Sequence, residues 1–292
     1  MANQELIAEF QSELGPDWKK FAVDVAIYAA LLASITFLLL PVIWTISTSF
    51  KPIGEVFEYP PRFIPRDPTL ENYKAQLSPL LGTLFFNSFL VGAVSALVST
   101  VVGAMTAYAI CRFKFAGNDW IMLFFMATLA FPIPMIMIST YIMFAKFGLL
   151  NTYWAMILGH VVITLPVTVW LLRNFFDQLP GEVEEAALID GAGPWYTFFR
   201  IVLPMAKPAM SAAGIFVFIT SWNELLFGLT FVSETAMRPI PAGVILLFLQ
   251  EYEGEWAQMM ALAVIVSLPI LLLFVFFQNA FLRGVTGGAV KG

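Results

Sequence analysis

Six segments of this chain, 25–44, 88–111, 120–145, 153–172, 209–232 and 260–281, run for 20 residues or more as nearly unbroken apolar sequence. A hydrocarbon core about 30 Å thick is crossed by about 20 such residues when each adds about 1.5 Å of helix. Each segment is therefore long enough to span a bilayer. No water reaches backbone N–H and C=O groups there, and a helix satisfies them within one segment. None of the six shows the dyad alternation of a membrane barrel. The expected fold is all-α, a bundle of six transmembrane helices occupying 21–292 behind a polar N-terminal segment, 1–20. A further apolar run, 244–249, is too short to cross.

Composition agrees with a lipid solvent: 60% of residues are hydrophobic and 12% charged, against about 25% charged in an ordinary soluble domain. The net charge of −5 comes with no basic block, so neither nucleic acid nor a polybasic lipid patch is indicated. One cysteine, Cys111, excludes an intrachain disulfide, and with a single histidine, His160, it cannot assemble the usual metal-ligand sets. No metal site is expected. The first 20 residues carry Glu5, Glu9, Glu13 and Asp17, the wrong chemistry for a cleaved signal peptide, so the first span is expected to stay in the mature protein.

An even number of spans places both termini on one side, and Lys and Arg decide which. Lys19, Lys20, Arg112, Lys114, Arg173, Arg200, Lys207, Arg283 and Lys291 fall on the terminal side, against Lys51, Arg62, Arg66, Lys74, Lys146 and Arg238 on the other. The excess puts both termini in the cytoplasm. Outside, 47–84 is a Pro-rich loop; inside, 173–208 is the one loop large enough to make a structured contact.

Prolines interrupt several spans, at Pro41, Pro132 with Pro134, Pro166 and Pro269. Ordinary kinking accounts for them, while the paired Pro132 and Pro134 also fit a real break in the third span, lining a cavity. In the second span, Ser95, Ser99, Gly103 and Ala107 form a stripe of small residues four apart. Such a stripe lets helix backbones approach closely, either within the chain or against a partner.

The inside loop reads as two short helices. Pro180 suits a first turn, Glu182, Glu184 and Glu185 complement the positive end of the helix dipole, and Gly191, Gly193 and Pro194 stop the helix. A second helix starts near Trp195 and ends before Pro204. Val183, Ala186, Ala187 and Asp190 share one narrow face with two alanines at its centre. That face suits a groove on another protein or the chain's own bundle, and spacing alone does not separate the two. Gly191 is expected at φ > 0, where a helix exit favours glycine.

The run Glu185-Ala186-Ala187, Gly191, Ile201 and Leu203-Pro204 resembles the EAA motif of binding-protein-dependent ABC importer permeases. Its fuller form, Glu184 to Ala192 followed by Arg200 to Pro204, is similar to the carbohydrate branch. So are Ser49-Phe50-Lys51, Asn87-Ser88, Trp222-Asn223-Glu224 and the terminal Gly288 to Gly292, an ordered set running from Ser49 to the end of the chain. The resemblance implies a type I importer permease in the cell membrane. Its EAA segment, with Glu185, Ala186, Ala187, Asp190, Gly191, Leu203 and Pro204, would be the cytoplasmic coupling helix and its exit. The implied partners are a second, different permease, as in maltose-type pairs, two cytoplasmic ATPase subunits and an extracytoplasmic solute-binding protein, with a sugar or polyol as cargo. ATP and Mg would sit in the ATPase. This chain has no Gly-Lys dipeptide and so no phosphate-binding Gly-x-x-x-x-Gly-Lys-Ser/Thr loop, and it is not expected to be an enzyme.

Glu224 is the ionisable residue deepest in a predicted span and must face the bundle or water. With Asn223 it fits either the solute path and the facing permease, or an interhelical hydrogen bond. His160 reads as a satisfied interior histidine, with no second ionisable residue in its span. A secondary transporter or channel is the alternative, which the sparse intramembrane acids fit poorly. An intramembrane enzyme lacks a nucleophile and base pair.

Overall fold

The computed structural model describes residues 18–113, 115–251 and 255–286, and no strand occurs among them. The chain divides into two compact units, Met1–Tyr73 with Trp256–Val264, and Lys74–Glu255 with Ile265–Gly292.

In the first unit, α1 (Trp18–Ser49) is 32 residues long and carries Pro41 inside it. Its side chains are exposed over most of its length, as suits a helix whose solvent is lipid. The chain then turns sharply. Asn72 Nδ2 donates to the carbonyls of Ser49 (2.9 Å) and Lys51 (2.8 Å), and the hydroxyls of Ser49 and Tyr73 lie 2.7 Å apart. Lys51 is buried with its ammonium 4.0 Å above the Trp44 ring. Burial lowers the Lys51 pKa below that of an ordinary lysine, and Glu55 opposes the shift.

The second unit begins with the short α2 (Glu71–Gln76), which straddles the boundary, and continues through α3 (Pro79–Arg112), α4 (Asn118–Thr128), α5 (Ile133–Lys146) and α6 (Tyr153–Phe176). After the inside loop come α9 (Lys207–Asn223), α10 (Leu226–Phe231) and α11 (Ile240–Glu251). The last helix, α12 (Trp256–Thr286), opens in the first unit and continues in the second.

Among the described residues, helices α1, α3, α6 and α12 are each long and apolar enough to cross a membrane alone, and counting each of two bent pairs as one span gives up to six. The third expected span is a real break: α4 and α5 meet at 102°. Pro132 precedes α5 in extended backbone, and Pro134 sits in the first turn of α5, where a missing N–H is tolerated. The expected span 209–232 needs correction. It is not one helix, because α9 stops at Asn223 and Glu224 takes extended backbone before α10. At a rise of about 1.5 Å per residue, α9 alone is about 25 Å long, short of a full hydrocarbon core.

The small-residue stripe of the second span packs within the chain, along α6. Ser95, Ser99, Gly103 and Ala107 are all buried. Ser99 Oγ lies 2.9 Å from Thr164 Oγ1, and Ser95 Oγ donates to the Ile157 carbonyl at 3.5 Å. A Cβ built on Gly103 would meet Thr168 Cγ2 at 2.6 Å, so the helix axes are as close as this pair permits. Ala104, Ala107, Val169, Leu172, Phe176, Val202 and Ala213 close a core at one end of the seam.

Gly103→Ala is therefore expected to destabilise the detergent-purified protein by about 1–3 kcal/mol through overpacking. Adding Thr168→Ser, which removes Cγ2 but keeps the hydroxyl, should recover most of that loss. Thermal unfolding of the four members of this double-mutant cycle checks the point, and strictly additive effects would show that the two residues do not share a contact.

Candidate functional site

Two places in the second unit hold most of the residues singled out from the sequence: the inside loop and the break after α9. In the loop, α7 (Glu182–Ile189) starts from Gly181, one residue after Pro180. Its exit is a Schellman motif. Gly191 has φ +83°, its N–H donates to the Leu188 carbonyl (3.0 Å), and Ala192 N–H donates to Ala187 O (2.9 Å). These bonds satisfy helix-end carbonyls, and the left-handed residue suits glycine.

The second loop helix, α8 (Pro194–Met205), runs through Pro204 instead of ending before it and contains a π-helical stretch, Thr197–Val202. Pro204 directly follows the π-helical stretch, where the Leu203 N–H reaches five residues back to the Phe198 carbonyl. A bend of 76° separates α8 from α9. Leu203 packs partly buried against the core beneath, while Pro204 is exposed.

The face read from the sequence splits in two. Ala187 is buried against the chain itself, 6% exposed, whereas Glu185, Ala186 and Asp190 are exposed and Val183 is half-buried. Leu188 and Ile189, at 57% and 87% exposure, are the large apolar side chains that α7 presents outward. Spacing alone could not show this split, because α7 leans on the bundle along one side only.

The anchor of α7 is Glu184, one of its three first-turn acids. Arg112 Nε donates to Glu184 Oε1 at 2.6 Å, Tyr108 Oη donates to Oε2 at 2.9 Å, and Arg112 Nη2 donates to the Leu179 carbonyl at 3.0 Å. Thus one carboxylate ties α7 to the end of α3. Its position in the first turn was the available signal; its partners, 72 and 76 residues away, left none.

At the second place, Glu224 acts as a cap. Its Oε1 accepts from Leu226 N (2.8 Å) and its Oε2 from Phe227 N (2.9 Å), taking up the free donors at the start of α10. Asn223 does not join it: the Asn223 amide donates back to Ile219 O at 2.9 Å and the side chain is exposed. His160 Nε2 stands 3.6 Å from Glu224 Oε2. The imidazole is 1% exposed, neither ring nitrogen has a hydrogen-bond partner, and it stacks on Phe227 with centroids 5.7 Å apart. His160 is thus an interior histidine, but not a hydrogen-bonded one, and the ionisable neighbour comes from the break after α9. Gly159 makes room for this arrangement, since a Cβ there would meet Phe227 and Phe231 at 2.9 and 3.0 Å.

Nearby, Asn87 and Ser88 hold the chain that leads into α11. Asn87 Nδ2 donates to the carbonyls of Ala236 (2.8 Å) and Arg238 (2.9 Å), Tyr153 Oη donates to Asn87 Oδ1 (2.8 Å), and Ile240 N donates to Ser88 Oγ (2.7 Å). Among the described residues no group of His, Cys, Asp and Glu is placed to hold a metal ion.

If Glu224 is the cap that permits the break, Glu224→Gln keeps one acceptor oxygen and should lower stability modestly, while Glu224→Leu strands both N–H groups at about 1–3 kcal/mol each. Melting of the purified protein in detergent reads the difference. Equal melting of the two variants would remove Glu224 from the capping role.

A family model described as the binding-protein-dependent transport system inner membrane component matches residues 99–287. The chain is 34% identical over 259 residues to the sulfoquinovosyl glycerol transport system permease protein SmoH of Agrobacterium fabrum, covering 87% of this chain and 89% of that protein. It is 34% identical over 271 residues to the trehalose/maltose transport system permease protein MalG of Thermococcus litoralis, covering 90% of this chain and 95% of that one. The fold is shared with a chain from the crystal structure of a bacterial ABC transporter involved in the import of the acidic polysaccharide alginate. The TM-score is 0.76 at 21% identity, over 91% of this chain and 98% of that chain.

Proposed function

The chain belongs to the family of binding-protein-dependent transport system inner membrane components, and from that premise we propose that this multi-pass ABC importer permease moves a sugar or polyol into the cytoplasm. The support for the cargo is chemical kinship: relatives at 34% identity carry names for sulfoquinovosyl glycerol, diacetylchitobiose, and trehalose or maltose. Hydrolysis of ATP, with its Mg, belongs to a separate ATPase. The full assembly would contain a second, different permease, two ATPase subunits and an extracytoplasmic binding protein. Both termini and the loop 173–208 face the cytoplasm in this reading.

The observation that carries the coupling role is the two-sided build of α7. One side is fastened to the bundle through Ala187 and the Glu184–Arg112 pair, 2.6 Å long. The other side offers Leu188 and Ile189 to water, which nothing in the chain itself requires. A helix held rigidly from below and apolar above is built to dock into a groove on a partner. Between α7 and α8 lies a cleft of about 570 Å³ lined by Asp190, Gly191, Tyr196 and Arg200 among others, so the docking face also has a polar flank.

Ile189→Asp should leave insertion and yield unchanged, because the side chain is 87% exposed, yet weaken ATPase retention by on the order of 2 kcal/mol, more than tenfold in affinity. Ala187→Asp differs: it buries a charge against the chain's own bundle and should lower the stability of the permease itself. A pull-down of the ATPase with each purified variant, beside its melting temperature, separates the two. Wild-type retention by Ile189→Asp would overturn the docking face.

The sidedness is checked by a cysteine placed at Asp177 in a Cys111→Ala background, which should resist impermeant maleimide added to intact cells. Ready labelling would reverse the topology. For the cargo, calorimetry of the cognate binding protein should give heats with sugars or polyols, and binding of amino acids or peptides alone would displace the carbohydrate assignment.

A further inference from the structure

Three helices carry cations at the ends that adjoin the inside loop. Arg112 is the last residue of α3, Arg173 lies in the last turn of α6, and Lys207 opens α9. Such residues sit at headgroup depth in spanning helices. Helix α8 arrives at this level and bends 76° from α9. If α9 stands near the bilayer normal, α8 lies close to the membrane plane.

The sequence of α8 is sorted for that position. Phe198 and Val202 point into the core and are 3% and 1% exposed. Trp195 and Phe199, one turn apart, are 68% and 46% exposed and stack on each other with centroids 6.0 Å apart. Tyr196 and Arg200, each the next residue round the helix, line the polar cleft beside α7. An in-plane helix with an apolar aromatic face and a polar face is the pattern of an interfacial element.

Between α8 and the final turns of α3 is a groove of about 320 Å³, lined by Met105, Tyr108, Ala109, Phe113, Trp195 and Phe198. Its lining is almost wholly apolar, and it runs along the last two turns of α3 from Met105, about 10 Å, and past the helix end to Phe113. Met105 and Phe113 are themselves 38% and 51% exposed. One wall is α3, a helix long and apolar enough to cross the membrane, so hydrocarbon lying against α3 would reach the groove as well.

We propose that this groove holds a phospholipid acyl chain, with α8 lying in the membrane interface on its Trp195 and Phe199 side. The ligand class follows from continuity with the bilayer and from the aromatic side chains, which favour headgroup depth. An acyl chain seated there fills the space beside Tyr108, whose hydroxyl donates to Glu184. Lipid packing then bears on the anchor of α7. The inference requires only that α3 crosses the bilayer and that α9 runs near the bilayer normal, and it stands whatever the cargo or the orientation of the chain.

The test is fluorescence quenching in phosphatidylcholine vesicles that contain lipid brominated either near the headgroup or near the acyl terminus. The permease is reconstituted with and without its ATPase subunits. Trp195→Phe removes one of eight tryptophans, and the difference from wild type isolates its signal. That signal should be quenched at least twofold more by the shallow bromines, with or without the ATPase. Ala109→Phe, which leaves Trp195 in place and fills the groove, should reduce the quenching. A Trp195 signal insensitive to both lipids would overturn the proposal. Quenching that disappears when the ATPase binds would do the same, assigning the groove to a protein contact. Quenching unchanged by Ala109→Phe would show that no chain occupies the groove.

Discussion

In hydrocarbon, a backbone N–H or C=O that loses its helical partner must find another inside the protein, and the architecture of the second unit follows from how this chain meets that demand at two breaks. Between α4 and α5 the solution is local. The N–H groups of Leu129, Ala130 and Phe131 bond three residues back, to Met126, Ala127 and Thr128, and Pro132 has no N–H to satisfy. After α9 the solution is tertiary: a carboxylate from within the break accepts the first two free donors of α10, and a buried imidazole stands beside it. The cost of placing a carboxyl group there is offset by the two backbone bonds, and its side chain is only 9% exposed.

This difference explains what was legible in the sequence. The first break was readable because Pro132 and Pro134 exclude a regular helix through chemistry of their own. The second has no glycine or proline at Asn223, Glu224 or Leu225, and its apolar run is long enough for a full span, so length and composition favour a continuous helix. What accompanies the break lies largely elsewhere in the chain: room at Gly159 and the ring of His160, against which Phe227 and Phe231 of α10 are seated. Likewise the left-handed Gly191 could be foreseen from helix-exit chemistry. Which side of α7 met the bundle could not, because Ala186 and Ala187 are alike in every local property and differ only in what lies beneath them.

Long-range polar contacts were the least visible. Asn87 and Ser88 stood out in the sequence only by resemblance, yet they secure a segment some 150 residues away through its carbonyls and one N–H. Their role is that of a cap supplied from another helix, the same physical device that Glu224 supplies from its own segment. Sequence patterns report on helix faces through periodicity. They carry no information about which distant carbonyls are left without partners.

The seam between α3 and α6 joins these features into one mechanical body. At one end, α3 holds Glu184 of α7 through Arg112 and Tyr108. Along its length it is locked to α6 by Ser99 against Thr164 and by Gly103 against Thr168, where any added carbon collides. Farther along α6 sits His160, against the broken span. Packed interfaces of this kind hold a few discrete arrangements instead of deforming continuously. A push on α7, as the coupling reading requires, is then delivered to α3 and α6 together, because sliding one past the other would drive Thr168 into the backbone at Gly103. The two breaks are compliant by comparison, because helices meet there at loops and their ends are held by a few hydrogen bonds. Motion of the permease is accordingly expected to concentrate at Leu129–Pro132 and at Glu224, with the α3–α6 seam moving as a rigid unit between them.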